Sequence, residues 1–312
     1  MDPVIFAGSA NPALATSVAE RVGVALGGRV LKRFPDSELH IELHDTVRER
    51  DVYLIQPGSP PADEHLFELM MLADACRRAG AARLTAIVPY FGYARQDRRA
   101  TGREPVGARL VADLLRCAAI QRVVTIDLHG AALEGFFPIP LEHLSAVPVL
   151  AEAAAAHASP QSVIVAPDLG AVKLAQRYAR ALKMPLAIIN KTRVSGEEVE
   201  ARGVVGEVRG RPTLIIDDMI TTGATIAAAV NALREAGAAP DVAVAATHGL
   251  FVGTAEARLG ALRIRHFIVS DSVARPSSLP LPVEIVSVAP LLAEAVKRLH
   301  TGRSLSDLIS HV

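Results

Sequence analysis

Short apolar runs rich in β-branched residues alternate along the whole chain with longer segments of helical periodicity. Most of these runs are too uniformly apolar for a sheet with one face in water, so we expect strands that are buried on both faces. Such alternation is typical of a parallel sheet covered by helices. The predicted strands are residues 4–8, 52–56, 84–89, 122–127, 163–167, 186–190, 213–217, 242–247, 266–270 and 284–288.

The segments between the strands have apolar residues at three- and four-residue spacing, and several end at glycine, as helices commonly do. Ten strands are many for one sheet, and an alanine- and proline-rich stretch at residues 143–160 separates two groups of them. We therefore predict an α/β protein of two domains, residues 1–145 and 146–312, each a mainly parallel sheet flanked by helices. The clearest helical segments are residues 12–23, 64–80, 106–118, 170–182 and 224–237.

Composition narrows the possible partners. The chain has 312 residues, half of them hydrophobic, and its 33 Lys and Arg balance 33 Asp and Glu. A formal charge of zero gives no general attraction to nucleic acid or to an anionic membrane, so we expect neither as a partner. No apolar run is long enough to span a membrane. Cys76 and Cys117 lack metal-binding spacing, and we expect both to be free core thiols in a cytoplasmic protein.

The segment TLIIDDMITTGAT, residues 213–225, places two carboxylates at the predicted end of a strand. The loop that follows leads into a helix beginning near residue 224, and a helix N-terminus attracts phosphate. The carboxylates would repel phosphate, but they can accept hydrogen bonds from vicinal hydroxyls or hold Mg²⁺. We therefore predict a sugar phosphate site, while a plain turn with a capping aspartate is the alternative. Its candidate residues are Asp217, Asp218, Thr221, Thr222, Gly223, Ala224 and Thr225.

This segment resembles the ribose 5-phosphate loop of the phosphoribosyltransferase superfamily. The resemblance implies that Asp217 and Asp218 bind the ribose 2- and 3-hydroxyls and that the loop amides bind the 5-phosphate. It also implies that both predicted domains have phosphoribosyltransferase-like folds. The superfamily contains enzymes that consume phosphoribosyl pyrophosphate and one group that makes it.

A second segment distinguishes these groups. Residues 90–105, YFGYARQDRRATGREP, carry four arginines, which suit either a polyphosphate site or a solvated surface. The sequence VPYFGYARQDRR resembles a motif typical of phosphoribosyl pyrophosphate synthetases, also called ribose-phosphate diphosphokinases. The resemblance implies that Arg95, Gln96 and the adjoining Asp97 bind ATP. The chain contains neither GxGxxG nor a P-loop motif, so we expect arginines to hold the nucleotide.

Further segments resemble the same family in order and spacing. The segment at residues 34–43, FPDSELHIEL, implies that a loop reaches into a neighbouring subunit's ATP site. Alone, a histidine or aspartate after a strand is commonly structural. The resemblance implies instead that His129 serves the metal-nucleotide, that Asp168 serves the ribose phosphate, and that both are candidate Mg²⁺ ligands. The remaining residues implied are Phe34, Asp36 and Glu38 for ATP, and Lys191 and Arg193 as catalytic cations of a flexible segment.

Two departures from the family pattern concern substrate affinity. Thr221 stands where most members have a third aspartate of the ribose loop, and Ala171 stands where the family has a second glycine. The hydroxyl of Thr221 keeps some polarity but loses a carboxylate that would help to orient ribose. We therefore expect the departures to affect substrate affinity more than the type of reaction.

The resemblance implies transfer of the diphosphoryl group of Mg-ATP to the C1 hydroxyl of ribose 5-phosphate, by a homo-oligomer that is a hexamer built from dimers. A phosphoribosyltransferase is one alternative, although it would not need the ARQDR segment. A non-catalytic subunit that associates with active synthetases is the other. Retention of Lys191, Arg193, His129 and the acidic pair argues against the second alternative.

The resemblance also suggests a regulatory site for phosphate and ADP. An anion pocket needs arginine together with several hydroxyl or amide donors. The alternative is that Ser304 only caps a final helix. The matching residues are Thr46, Arg48, Arg78, Ser304 and Ser306.

Overall fold

The computed structural model describes residues 2–193, 199–274 and 279–309. The chain divides into two compact units. The first contains Met1–Ser145, Ser272–Ala274 and Ser287–Val312, and the second contains Ala146–Asp271 and Arg275–Val286. The break after residue 145 falls at the predicted domain boundary. Residues 287–312, which the sequence assigned to the second domain, instead belong to the first unit.

The first unit is built on a parallel sheet of five strands in the order β1-β4-β5-β6-β7. Its strands are buried because helices and loops cover both faces. Apolar side chains of β1, β4 and β5 form one core cluster with those of α2 and α3. The elements of this unit are β1 (Val4–Ala7), α1 (Pro12–Val22), β2 (Arg29–Arg33), β3 (Leu39–Leu43), β4 (Asp51–Ile55), α2 (Ala62–Arg78), β5 (Arg83–Ile87), α3 (Gly107–Cys117), β6 (Arg122–Ile126), a 3₁₀ helix (Ala131–Phe136) and β7 (Leu141–Leu144).

Strands β2 and β3 form a separate antiparallel hairpin, which the sequence did not predict. Their residues are half-buried or exposed and include several charges. They therefore lack the uniform apolar character by which the buried strands were recognised. The hairpin packs against α2, and Arg33 forms an ion pair with Glu64 of that helix.

The second unit is a sheet of seven strands in the order β10-β9-β8-β11-β12-β13-β14. Every pairing is parallel except that of the edge strand β10 with β9. A single cluster of buried apolar residues joins the central strands to α6 and α7. The elements are α4 (Val147–Ala155), β8 (Val163–Ala166), α5 (Val172–Leu182), β9 (Leu186–Arg193), β10 (Val199–Val205), β11 (Thr213–Ile220), α6 (Ala224–Glu235), β12 (Val242–Gly249), α7 (Ala255–Gly260), β13 (His266–Ser270) and β14 (Val283–Val286).

The predicted fold class of two mainly parallel α/β sheets is confirmed, and all ten predicted strands are present. The sequence missed β7 and β10 as well as the hairpin.

The prediction that both cysteines lie in the core was wrong for one of them, because Cys76 is buried and Cys117 is exposed. Burial raises the pKa of the Cys76 thiol to about 12, which keeps it protonated. Across the described residues, no helix combines the length and apolar character required to cross a membrane.

A final helix, α8 (Ala289–His300), returns the chain to the first unit and packs against α1. Its last residue is fixed by a buried carboxylate at the start of β4. Oδ2 of Asp51 lies 2.8 Å from Nδ1 of His300 and accepts hydrogen bonds from the Tyr53 hydroxyl at 3.0 Å and Arg83 Nη2 at 2.8 Å. Only 7% of the Asp51 side chain is exposed. This carboxylate therefore links β4, β5 and α8.

We predict that Asp51→Ala lowers the free energy of unfolding by about 2–4 kcal/mol, because it removes the acceptor shared by the buried Tyr53 hydroxyl, the half-buried His300 ring and the exposed Arg83 guanidinium. Urea denaturation would measure the change. Asp113→Ala is the matched control, since Asp113 forms an exposed pair with Arg109 at 2.9 Å. Its loss should cost less than about 1 kcal/mol. Equal effects of the two substitutions would show that Asp51 does not hold the C-terminal helix.

Candidate functional site

The ladders that β11 forms with its two neighbours have different lengths, and this leaves its half-buried acidic residues without a paired strand on one side. β11 pairs with β12 from Thr213 to Ile220, but with β8 only from Thr213 to Ile215. Asp217 and Asp218 therefore lie inside a strand that continues to Ile220, whereas the sequence predicted that they lie at its end. The strand continues because β12 supplies backbone partners as far as Gly249. On the side of β8 the carboxylates lie beyond the last paired residue.

A third carboxylate reaches the same place from the next strand. Asp168 lies two residues beyond the end of β8, and its Oδ1 accepts a hydrogen bond from the backbone N–H of Ala171 at 3.1 Å. Burial, together with the charges of Asp218 and Asp168, raises the pKa of Asp217 well above its usual range. The three acids therefore form one electrostatic group. A bound cation or a set of hydroxyl donors would stabilise its ionised form.

The loop after β11 leads into α6 at Ala224, as predicted. Gly223 adopts a left-handed conformation, with φ 73°, directly before the helix. A Cβ atom on it would lie 2.7 Å from Cγ of Leu259, so glycine is required by both conformation and space. The carbonyl of Thr221 accepts from Val252 N–H at 3.0 Å, and that of Thr222 accepts from Arg258 Nη1 at 2.8 Å.

These contacts anchor the loop through its carbonyl groups on the α7 side. The first turn of α6 contains no acidic residue, so its N-terminus keeps the positive end of the helix dipole. Ala224 and Thr225 are the first residues of that turn. An anion at this N-terminus and hydroxyl groups at the neighbouring carboxylates are the two components of a sugar phosphate.

Sequence reasoning missed Arg258 and Leu259, which hold the loop. The hydrogen bond from Arg258 joins residues 36 positions apart, and no local motif signals such a contact. Ala171 adopts an ordinary helical conformation with φ −82° and is buried. Because any residue can adopt this conformation, the departure from glycine introduces no backbone strain.

The first unit carries the residues expected to bind ATP. Arg95 and Gln96 are exposed in the turn that follows β5, and Asp97 lies 3.4 Å from the guanidinium of Arg98. The Gln96 side chain lies over Gly107 at the start of α3, where an added Cβ would approach its Oε1 to 2.5 Å. Gly107 therefore leaves space for the amide.

The remaining nucleotide candidates lie on two other exposed segments of this unit. His129 follows β6 and is exposed. Phe34, Asp36 and Glu38 form the tip of the β2–β3 hairpin. Phe34 is 44% exposed and its ring centroid lies 5.0 Å from that of His40, so an aromatic face remains available at the tip.

Lys191 and Arg193 belong to the end of β9, where the backbone pairs with β10. Their side chains are outside the described part of the structure, as are residues 194–198. Their predicted catalytic role stays a prediction.

The predicted regulatory residues are found in the first unit. Thr46 and Arg48 are exposed, and the Arg48 side chain lies near Gly80, just beyond α2. Nε of Arg78 forms an ion pair with Asp74 at 2.6 Å.

The two serines of the C-terminal segment do not cap a helix. The last helix of the described chain ends at His300, before Ser304. The Ser304 hydroxyl oxygen accepts a hydrogen bond from Ser306 N–H at 3.2 Å, and the two hydroxyls are 3.0 Å apart. The alternative in which Ser304 only caps a final helix is therefore wrong for the described residues. The described hydrogen bonds do not join these serines to Arg48 or Arg78.

The carboxylates of Asp168, Asp217 and Asp218 are oxygen ligands of the kind that Mg²⁺ prefers. Within residues 2–193, 199–274 and 279–309, no group of three or more His, Cys, Asp and Glu side chains is arranged to hold a metal alone. Mg²⁺ commonly uses one or two carboxylates together with waters and substrate phosphates, so it does not require such a group. The raised pKa of Asp217 indicates a cluster that a cation would relieve.

Comparison with known proteins shows what the chain resembles. Residues 3–118 match the family model described as the N-terminal domain of ribose phosphate pyrophosphokinase, and residues 191–310 match the phosphoribosyl synthetase-associated domain. A ribose-phosphate pyrophosphokinase from Nostoc sp. is 42% identical over 97% of this chain and 92% of its own. The Bacillus subtilis protein of the same name is 41% identical over 98% and 96%.

The chain belongs to the ribose-phosphate pyrophosphokinase family. The crystal structure of phosphoribosylpyrophosphate synthetase from Mycobacterium smegmatis matches it with a TM-score of 0.90 and 39% identity, over 97% of this chain and all of the other. The predicted family and enzyme class are thus confirmed. Among the alternatives, the comparisons favour a pyrophosphokinase over a phosphoribosyltransferase.

We predict that Asp217→Asn stabilises the ligand-free protein at pH 8. The folded-state pKa of Asp217 is raised above the ordinary value of about 3.9. The wild type therefore loses stability as pH rises from that value through the folded-state pKa, because ionisation is harder in the folded state. Asparagine carries no charge and avoids this loss. Thermal unfolding should show a higher Tm for Asp217→Asn than for the wild type at pH 8, and the difference should diminish toward pH 4.

The matched control is Asp113→Asn, which removes an exposed carboxylate that is paired with Arg109. Its effect at pH 8 should stay below about 1 kcal/mol and should not be stabilising. If Asp217→Asn instead destabilised the protein at pH 8, the ionised carboxylate of Asp217 would contribute to stability. This result would contradict electrostatic repulsion among the three acids.

Proposed function

We propose that the protein transfers the diphosphoryl group of Mg-ATP to the C1 hydroxyl of ribose 5-phosphate, giving 5-phosphoribosyl 1-diphosphate and AMP. The observation that carries this proposal is the convergence of Asp168, Asp217 and Asp218 beside the N-terminus of α6 in a chain of this family. The acids accept hydrogen bonds from the ribose hydroxyls. The loop amides at Thr221–Thr225 bind the 5-phosphate.

The nucleotide is assigned to the exposed segments of the first unit. Arg95 provides a guanidinium for the phosphate chain, since its fork of donors suits phosphate oxygens. Gln96 is held over Gly107 with its amide available, and His129 serves the metal-nucleotide. The exposed Phe34 supplies an aromatic face for adenine in the site of a neighbouring subunit. This last assignment requires an oligomer, and we propose a hexamer built from dimers.

In the proposed reaction the C1 hydroxyl oxygen attacks the β-phosphorus of ATP. The bond between this phosphorus and the oxygen of the α-phosphate breaks, AMP leaves, and the hydroxyl proton is released. Such in-line transfer is catalysed mainly by positioning and by charge stabilisation, so no covalent nucleophile is needed. Lys191 and Arg193 stabilise charge on the transferred group and on the departing oxygen.

His129 and Asp168 would hold Mg²⁺, which would neutralise part of the phosphate charge when bound. The protein's own contribution is to hold the acceptor hydroxyl. Asp217 and Asp218 orient the ribose ring, and the anchored loop fixes the other end of the sugar through its phosphate. Two fixed ends leave C1 with a defined orientation.

We also propose that phosphate and ADP bind a second anion site formed by the arginines and hydroxyls described above. The exposed Arg48 and the paired hydroxyls of Ser304 and Ser306 support it. Phosphate would activate and ADP would inhibit.

Phosphorus NMR tests the reaction directly. We expect purified protein with Mg-ATP and ribose 5-phosphate to give AMP and a new diphosphate ester in equal amounts. Formation of ADP would show transfer of the γ-phosphoryl group instead and would contradict the proposal. No reaction in the presence of phosphate would favour the non-catalytic subunit.

The same experiment tests whether Lys191 acts in catalysis or whether loss of any positive charge slows the reaction. Lys191→Ala should slow formation of the ester by about 10³-fold or more, because it removes a cation that acts on charge developing during transfer. Lys183→Ala is the matched control, since Lys183 is exposed at the end of α5, and it should leave the rate unchanged. Equal rates for both variants would remove Lys191 from the mechanism.

A further inference from the structure

The segment that carries His129 begins with an unusual backbone conformation. Asp127 follows β6 with φ 36°, in the left-handed region that non-glycine residues rarely adopt. It is 5% exposed. Its backbone N–H donates to the carbonyl of Leu144 at 3.0 Å, and its Oδ1 accepts from the Ser145 hydroxyl at 3.2 Å. The turn is therefore maintained by contacts with the end of β7 and the residue that follows it.

A buried histidine on β7 holds the next part of this segment. His143 is 5% exposed, and its Nε2 lies 2.8 Å from the backbone nitrogen of Leu128. A backbone N–H can only donate, so Nε2 is the unprotonated nitrogen. Nδ1 then carries the proton, and it lies 2.8 Å from Oε1 of Glu134. The neighbours on both sides thus select one tautomer of the imidazole.

The two partners of His143 lie on either side of His129 along the chain. Leu128 precedes His129, and Glu134 belongs to the 3₁₀ helix Ala131–Phe136 that follows it. Both nitrogens of one buried ring are therefore used to fix the two ends of the exposed segment. The ring belongs to an edge strand whose position is set by pairing with β6, from Val123↔Leu141 to Ile126↔Leu144.

We infer that His143 is a positioning residue for the nucleotide site: it sets the backbone that presents His129, and Glu134 holds it in the tautomer that can accept from Leu128. This inference rests on the proposed function, in which His129 faces the metal-nucleotide. His143 itself does not contact substrate in this arrangement. Its effect should appear in nucleotide binding and not in the binding of ribose 5-phosphate.

Two substitutions separate the hydrogen bond from the volume of the ring. Glutamine can place its side-chain oxygen near the position of Nε2 and accept from Leu128, whereas leucine fills a similar space without an acceptor. Calorimetric titration with Mg²⁺ and α,β-methylene-ATP, which cannot be cleaved between the α- and β-phosphates, reports affinity without turnover. We expect His143→Leu to weaken this affinity about tenfold and His143→Gln to recover most of it. The KM for ribose 5-phosphate should change less than about twofold.

A control addresses general loss of stability. Tyr53→Phe also removes a buried hydrogen bond in the first unit, that with Asp51, but it does not touch the segment from Asp127 to Ser145. It should leave nucleotide affinity unchanged. Weakened affinity in Tyr53→Phe as large as that in His143→Leu would reduce His143 to an ordinary stabilising residue and overturn the inference.

A double-mutant cycle with His129→Ala tests whether His143 acts through His129. If it does, His143→Leu should weaken nucleotide affinity by less than about twofold further in the His129→Ala background. Additive losses would overturn the inference, as would unchanged affinity in His129→Ala itself or a His143→Gln variant as weak as His143→Leu. Failure of the wild type to form the diphosphate ester in the phosphorus NMR experiment would instead refute the proposed function, so the two failures are distinguishable.

Discussion

The unequal lengths of the ladders on the two sides of β11 are the constraint on which the candidate site depends. Pairing with β12 carries the strand to Ile220, while pairing with β8 stops at Ile215. The step between the two ladders places Asp217 and Asp218 inside a rigid strand and still leaves them open on one side. Since the same step brings Asp168 close enough to raise the pKa of Asp217, the sheet itself sets the electrostatics of the site.

This arrangement concentrates negative charge beside a positive helix end, and the two are separated by a loop that is anchored through its carbonyls. Such a site is unfavourable without a ligand, because three carboxylates lie together. A ligand with hydroxyls at one end and phosphate at the other compensates both charges at once. Stability is thereby sacrificed at a place where binding restores it, which is a common property of functional sites.

Much of the fold could be predicted because the central strands are apolar on both faces and the helices keep one apolar stripe. The β2–β3 hairpin could not, since its strands are charged and partly exposed. The return of α8 to the first unit was missed because an amphipathic stripe shows that a helix packs, but not on which sheet. Likewise, the acidic loop was recognisable from local sequence, whereas the Arg258 and His143 contacts join distant residues and have no local signature.

The central claim is that Asp217 is held in an electrostatically unfavourable state that the ligand relieves. Carbon NMR of the aspartate carboxyl groups, with the Asp217 signal assigned from Asp217→Asn, measures this directly. In the free protein Asp217 should titrate well above the ordinary value of about 3.9, and ribose 5-phosphate with Mg²⁺ should lower its pKa toward that value. Titration near the ordinary value in the free protein, or a high pKa unchanged by the ligands, would contradict the account.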